Sequence, residues 1–353
     1  MRQSNTLALL DRGVNLGCPH GAGPAPGVGD NPRMAVGEFD LIAKYFSRPV
    51  RRAVLGGGDD CALLQPTPGL QWAVSTDALV EGRHFLSTVP PDALGHKALA
   101  VNLSDLAACG ATPVAFTLSL SLPRVDEEFL AGFAEGLYAL AQAHDIELVG
   151  GDTTAGPLNI GITVMGEVPP GQALRRGGAR AGDELWVSGR LGDARLALEA
   201  FRGKVGLRGE AFEEVRRAME RPQPRVALGI ALRGVASAAI DLSDGLVGDL
   251  AHVMRASGLG ATLRLADIPH GPHVAACAEA LRRQCLLGGG DDYELLFAAP
   301  AGAHARVRDA GARANVPVTC IGTLDDAPGL RVLDARGAPV VLTERAFDHF
   351  VSA

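Results

Sequence analysis

Basic stripes, paired cysteines and long apolar runs are all missing from this chain, and each absence removes a class of function. A formal net charge of -7 and a pI near 5.7 leave no cationic face for a nucleic-acid backbone. The longest apolar stretches, such as Val114 to Leu122 and Leu295 to Pro300, fall well short of the roughly 20 residues that a membrane helix requires. The six cysteines, Cys18, Cys61, Cys109, Cys277, Cys285 and Cys320, contain no C-x-x-C pair. Because Cys61, Cys109 and Cys320 sit inside apolar segments, they read as buried free thiols. Residues 1–33 hold only the short apolar stretch Leu7 to Leu10 before Asp11-Arg12 and a Gly/Pro-rich tail, which is not the h-region of a secretory signal. They read as a disordered leader on a cytoplasmic protein, with Met34 as a candidate start.

Familiar nucleotide and hydrolase frameworks are missing as well. G-x-x-x-x-G-K-[ST] fails at Gly203-Lys204, which Val205 follows, and G-x-G-x-x-G, H-E-x-x-H, G-x-S-x-G and the H-R-D set are absent. What the chain has instead is glycine and aspartate at the ends of apolar segments. Gly-Gly-Gly-Asp-Asp occurs at Gly56 to Asp60 and again at Gly288 to Asp292. Between the copies lie Ser75-Thr76-Asp77, Asn102-Leu103-Ser104-Asp105, Gly150-Gly151-Asp152-Thr153-Thr154 and Asp241-Leu242-Ser243-Asp244-Gly245. Glycine lets backbone N–H groups approach an anion, and aspartate holds a cation beside it. Carboxylates gathered at about 4 Å repel by roughly 4 kcal/mol per pair at an effective dielectric near 20, so a fold that collects these segments needs hard cations. All-oxygen ligands suit Mg²⁺, which keeps waters and shares its shell with phosphate oxygens.

Each word also has a purely structural explanation. Gly56 to Asp60 fits an ordinary turn, and Asp105 an exposed helix face. Ser243 or Asp244 fits the N-cap of a helix starting near Gly245, a position compatible with phosphate binding. His84 fits a satisfied polar residue and Arg176 a solvated charge.

A chain of 353 residues, 47% hydrophobic and 21% charged, has room for two domains or one large α/β unit. Glu38 to Phe46 places Phe39, Ile42 and Phe46 at helical spacing, and Ala93 to Cys109 places Leu99, Leu103 and Leu106 on a core face before Gly110 stops the helix. Strands are expected at Cys61 to Leu64, Leu70 to Ser75, Val114 to Leu122 and Asn159 to Val168, with a helix over Phe129 to Ala143. Pro169-Pro170-Gly171 is the best linker, dividing an N-terminal domain, 34–168, from a C-terminal one, 169–353. Beyond it, strands are expected at Glu184 to Ser188, Ala238 to Leu242, Tyr293 to Ala298 and Val316 to Gly322, with helices at Asp193 to Phe201, Phe212 to Met219, Arg225 to Leu232, Gly245 to Ala256 and Ala303 to Ala310. Strand and helix alternate in both halves, which indicates α/β or α+β domains.

The order of these words resembles the thiamine-monophosphate kinase family. The resemblance runs from Gly37-Glu38-Phe39 through Gly58-Asp59-Asp60-Cys61-Ala62-Leu63-Leu64, Ser75 to Phe85, Lys97 to Gly110, Gly150 to Thr154 and Arg176 with Gly178-Ala179, then Arg221-Pro222, Ile240 to Leu246 and Asp292-Tyr293-Glu294-Leu295, to Asp348-His349-Phe350. It implies a two-domain α/β architecture shared with aminoimidazole-ribonucleotide and selenophosphate synthetases. It further implies N-terminal sheets that pair across a homodimer, with ATP near that contact. Asp60, Thr76, Asp77, Asp105, Asp152, Asp241 and Asp244 are then the expected Mg²⁺ ligands, with Ser75 a weaker candidate, and Asp77, Asp105 and Asp152 the catalytic set. Gly151, Arg176, Ser243 and Tyr138 are expected on ATP, and His84, Asp291 and Phe347 on thiamine monophosphate. Asp291 departs from the family's usual glutamate by one methylene, and Cys109 stands where methionine is common. A sister synthetase is disfavoured because no cysteine lies between Phe39 and Gly58, and a hydrogenase-maturation relative because the chain ends Val351-Ser352-Ala353. A non-catalytic Mg-nucleotide sensor would have no use for His84 and Phe347.

Overall fold

The computed structural model describes residues 37–344 and 347. The expected leader, Met34 and the Asp348-His349-Phe350 word lie outside these residues. The chain opens with α1 (Glu38–Leu41), which runs into a π-helical turn over Ile42–Phe46. Leu41 and Phe46 are buried, whereas Phe39 is 82% exposed, so the expected face is rotated by the π turn. There follow β1 (Ala53–Leu55), β2 (Leu63–Leu64), β3 (Gln71–Val80), α2 (Pro91–Ala108), β4 (Thr112–Leu122), α3 (Glu127–Ala143), β5 (Glu147–Ala155) and β6 (Asn159–Val168). The second half contains β7 (Asp183–Ser188), α4 (Asp193–Phe201), α5 (Glu210–Glu220), α6 (Val226–Ala231), β8 (Ala238–Asp241) and α7 (Leu246–Ser257). It ends with β9 (Gly260–Arg264), α8 (Pro272–Ala275), α9 (Glu279–Gly288), β10 (Leu295–Pro300), α10 (His304–Ala314), β11 (Val318–Asp325) and β12 (Leu330–Leu333).

The first half builds a four-stranded sheet in the order β3-β6-β4-β5, in which only the β4–β5 pair is parallel. The second builds a six-stranded mixed sheet, β12-β9-β11-β7-β10-β8, around a core that includes Leu185, Val187, Ile240, Leu263, Leu296 and Ile321. Among the described residues no helix is long and apolar enough to cross a membrane. The described cysteines are free, but Cys61 is exposed and only Cys285 is fully buried. The expected burial of Cys61 is therefore wrong: β2 begins at Leu63, which leaves Cys61 on the turn.

Helix α2 is the centre of the molecule. Pro91 opens it, its missing N–H costing nothing at N1, and Gly110 at φ 66° ends it in the left-handed region. The helix is buried from Ala93 to Ser104 and is covered on every side. One face lies on β3 and β6, a second on α3 and a third on α6 and β8. The covering is tight: a Cβ on Gly136 would sit 1.8 Å from the Asp92 carbonyl oxygen, and one on Gly229 would sit 2.0 Å from that of Ala107. Its polar side chains Asn102, Ser104 and Asp105 meet β3 and the end of β8.

Two sequence expectations fail in an instructive way. The strand expected at Leu70 to Ser75 continues to Val80, so Thr76 and Asp77 lie inside β3 rather than after it. Asp152 likewise lies inside β5. Alternation along a strand then separates neighbours: Ser75, Asp77 and buried Leu79 face α2, while Val74, Thr76 and Val80 face the other side. Nor does Ser243 or Asp244 cap α7, whose N-cap Gly245 has no side-chain bond. One Asp249 carboxylate oxygen instead accepts from the N–H groups of Ser243, Asp244 and Gly245 at 3.1, 3.2 and 3.1 Å.

Candidate active site

Four segments meet around α2. From β3, the Ser75 hydroxyl donates to Asp105 Oδ2 at 2.5 Å, and the Asp77 N–H donates to Asn102 Oδ1 at 3.1 Å. Asn102 is fixed in turn by its own amide on the Ala98 carbonyl at 3.0 Å. At the end of β8, Asp241 Oδ2 accepts from the Ser104 hydroxyl at 2.7 Å. The Asp249-bound turn then presents Ser243 and Asp244, and the Ser243 carbonyl accepts from the Asp291 N–H at 2.9 Å. The Asp244 carbonyl accepts from the Phe347 N–H at 3.1 Å, and the Arg83 guanidinium lies 5.8 Å from the centre of the Phe347 ring.

The charges in this cluster act on one another. Burial first, and then the charge of Asp105, pushes the Asp241 carboxyl up to about 7. Asp77 keeps an exposed edge, yet the protein packed behind it, with Asp105 and Asp244, raises its carboxyl to about 6. Burial also raises Asp105, opposed by the Ser75 hydrogen bond and the positive charge of Arg176. Asp77, Asp105, Asp241, Asp244 and Arg176 thus share one electrostatic site. Every donor there is a carboxylate or hydroxyl oxygen, and repulsion disfavours their joint ionisation. Among the described residues no group of three or more His, Cys, Asp or Glu side chains is placed to hold a metal ion by itself. The donor chemistry, oxygen alone, is that preferred by a hard cation such as Mg²⁺, which keeps waters and takes phosphate oxygens.

A pH effect follows. Carboxyls that titrate near 6 to 7 in the fold and near 4 in the unfolded chain bind more protons in the fold between those values, so stability falls as pH rises through that window. In EDTA the melting temperature is expected to drop from about pH 5 to about pH 8, with Mg²⁺ restoring most of it at the upper end. Thermal scans of the wild type against Asp241→Asn check this. An Asp241→Asn slope as steep as the wild type would remove Asp241 from the account.

Other expected residues stand elsewhere. Asp152 pairs with Ser119, Ser119 with Gly161 and Gly161 with Ala78. Its side chain therefore shares the open sheet face with Thr76, on a strand about 14 Å from β3 across three strand spacings. Thr76 donates to the Ile162 carbonyl at 3.0 Å and accepts from the Thr163 hydroxyl at 3.0 Å. Gly151 is required by β4, since a Cβ there would meet the Leu118 carbonyl oxygen at 1.9 Å. Asp60 is exposed on a turn whose Gly57 lies against Val149 and Gly150 of β5. Tyr138, on α3, is buried under the Arg48 guanidinium at 3.6 Å, and its hydroxyl has no hydrogen-bond partner among the described residues. Burial pushes that hydroxyl up to about 12.

His84 accepts at Nδ1 from the Val80 N–H at 3.0 Å, and its carbonyl accepts from Lys97 Nζ at 3.1 Å. Lys97 also donates to Asp291 Oδ2 at 3.0 Å, which links two of the residues expected on the acceptor. Sequence reasoning missed Lys97 and Asp249. The signal for Lys97 was the single lysine of a helix whose neighbouring positions, Ala93 to Val101, are mostly apolar. For Asp249 it was a carboxylate one turn into a helix whose N-terminus needs acceptors.

Residues 58–168 match the AIR synthase related protein, N-terminal domain, and residues 180–335 its C-terminal domain. The fold is therefore that of the AIR synthase related class, two α/β domains with mixed sheets. Thiamine-monophosphate kinase of Salmonella typhimurium is 45% identical over 330 residues, covering 90% of this chain and 100% of that protein. The crystal structure of thiamine-monophosphate kinase from Stenotrophomonas maltophilia K279a superposes with a TM-score of 0.76 at 43% identity, over 83% of this chain and 94% of that one. AaThiL complexed with AMPPCP and TMP superposes with a TM-score of 0.70 at 28% identity, over 81% and 89%. The chain belongs to the thiamine-monophosphate kinase family.

Proposed function

We propose that the chain transfers the γ-phosphoryl group of ATP in line to the phosphate of thiamine monophosphate, giving thiamine diphosphate and ADP in the cytoplasm. The observation that carries this reading is the cluster of Asp77, Asp105, Asp241 and Asp244 on oxygen donors alone, in a chain that belongs to this family. A phosphate monoester has its second pKa near 6, so the acceptor oxygen is largely deprotonated at neutral pH and needs no strong base. The obstacle is repulsion between two anions. Several Mg²⁺ ions bound there would screen both phosphates. Asp60, Thr76, Asp77, Asp105, Asp152, Asp241 and Asp244 would hold the ions, with Asp77, Asp105 and Asp152 as the catalytic set. Arg176, Ser243, Gly151 and Tyr138 contact ATP, and His84, Asp291 and Phe347 face the thiamine end. The N-terminal domain, 34–168, supplies the ATP and metal residues up to Asp152 and the dimer contact, and the C-terminal domain, 169–353, supplies Arg176, Asp241, Ser243 and Asp244.

The working unit in this reading is a homodimer in which each N-terminal sheet covers the open face of the other. What supports it is that open face: Val74 is 63% exposed there, and Asp152 lies three strands from Asp77 within one chain. Asp152 and Gly151 would then serve the neighbour's site. Purified protein given ATP, Mg²⁺ and thiamine monophosphate is expected to release thiamine diphosphate and ADP in equal amounts. Folded, ATP-binding protein that makes neither would favour a nucleotide sensor instead.

A further inference from the structure

Lys97 is 2% exposed and is the one lysine of α2. Its ammonium has two close acceptors: the His84 carbonyl at 3.1 Å, after β3, and Asp291 Oδ2 at 3.0 Å, on the turn before β10. It also lies near buried Glu220, whose carboxyl burial raises against the opposing pull of Arg216, its direct partner at 3.0 Å, and of Lys97. The other Asp291 oxygen accepts from the Tyr293 hydroxyl at 3.2 Å, so both carboxylate oxygens are held within the protein. The backbone here is strained: Asp291 has φ 68° and Tyr293 φ 49°, left-handed values that non-glycine residues rarely adopt. Such a turn persists only where its surroundings over-determine it, and this one is tied to Ser243 and Leu242 through the N–H groups of Asp291 and Tyr293 at 2.9 and 2.8 Å. A buried ion pair adds little stability over apolar packing, so what it specifies is geometry.

We propose that Lys97 is a positioning residue for the acceptor end of the site, clamping the His84 turn of the N-terminal half to the strained Asp291 turn of the C-terminal half. The proposal rests on the functional reading above. Through this clamp the spacing between His84 and the Asp244-bound Phe347 is set, and Asp291 acts on the acceptor through Lys97 rather than as its direct hydrogen-bond acceptor. ATP, held by other residues, is indifferent to it.

Steady-state kinetics on the full chain test this with Lys97→Met, Asp291→Ala and the double variant. Each single change is expected to raise KM for thiamine monophosphate about tenfold or more while KM for ATP moves less than about twofold. The double variant is expected to be no worse than the worse single one, because the two residues act as a unit. Lys97→Arg should recover part of the loss, and it replaces Lys97→Met in the cycle if the latter does not fold. A lowered melting temperature with unchanged KM, or fully additive effects, would overturn the proposal while leaving the kinase reading intact. A wild type that forms no thiamine diphosphate overturns the kinase reading and the clamp's role with it.

Discussion

Asp105→Asn is expected to lower kcat more than about tenfold, a loss of at least about 1.4 kcal/mol of transition-state stabilisation, and yet to leave the folded protein no less stable. Asp105 stands between Ser75 of β3 and the other carboxylates, and its charge helps to lift both Asp77 and Asp241. Asparagine keeps its shape and an acceptor for the Ser75 hydroxyl but removes the charge that would hold a cation between two phosphates. Without metal, the same change relieves repulsion, so the melting temperature in EDTA near neutral pH should hold or rise. An ordinary core residue shows the opposite pairing, lost stability with activity falling only alongside it. Near-normal turnover at saturating Mg²⁺ would remove Asp105 from the catalytic set.

Arg225→Met is expected to produce the largest loss of stability, about 3–5 kcal/mol. Glu294 is only 5% exposed and takes Arg225 Nε at 2.6 Å, with the Ser188 hydroxyl on the same oxygen. Gly189, at φ 59°, is required beside it, since a Cβ there would lie 1.9 Å from Glu294 Oε1. The Glu294 carboxylate would lose its charged partner where it is buried, and an uncompensated buried charge is among the most damaging single changes. Equilibrium urea unfolding reads the effect directly. Removing both charges at once, as Arg225→Met with Glu294→Leu, should recover most of the loss. A single-variant loss below about 1 kcal/mol would mean the pair behaves as a surface ion pair.

Periodicity located most elements because long amphipathic or apolar segments carry their own signal. β6 and α4 have the expected bounds, and α2 and α3 differ only at their ends. β9, β12 and α9 were not foreseen, because short segments of mixed composition acquire their state from neighbours rather than from pattern. The site was legible as a list of aspartates but not as an arrangement. Sequence gives no strand register, so nothing told that Asp77 and Asp152 would lie on opposite faces, three strands apart. The two Gly-Gly-Gly-Asp-Asp words also diverge in the fold. The first is an exposed turn beside β5, whereas the second packs against Ser243 and places the Asp292 carboxylate on the Gly192 N–H at 3.0 Å. Lys97 was hidden for a different reason: its importance lies in partners at positions 84 and 291, which only the tertiary fold brings to one ammonium.

The central claim is a direct transfer between two anions held together by carboxylate-bound cations, with no covalent intermediate on the protein. The stereochemical course at phosphorus tests it most directly. With ATP made chiral at the γ-phosphorus by oxygen isotopes, a single in-line displacement predicts inversion in the terminal phosphate of thiamine diphosphate. Retention would demand a phosphorylated enzyme and would contradict the account.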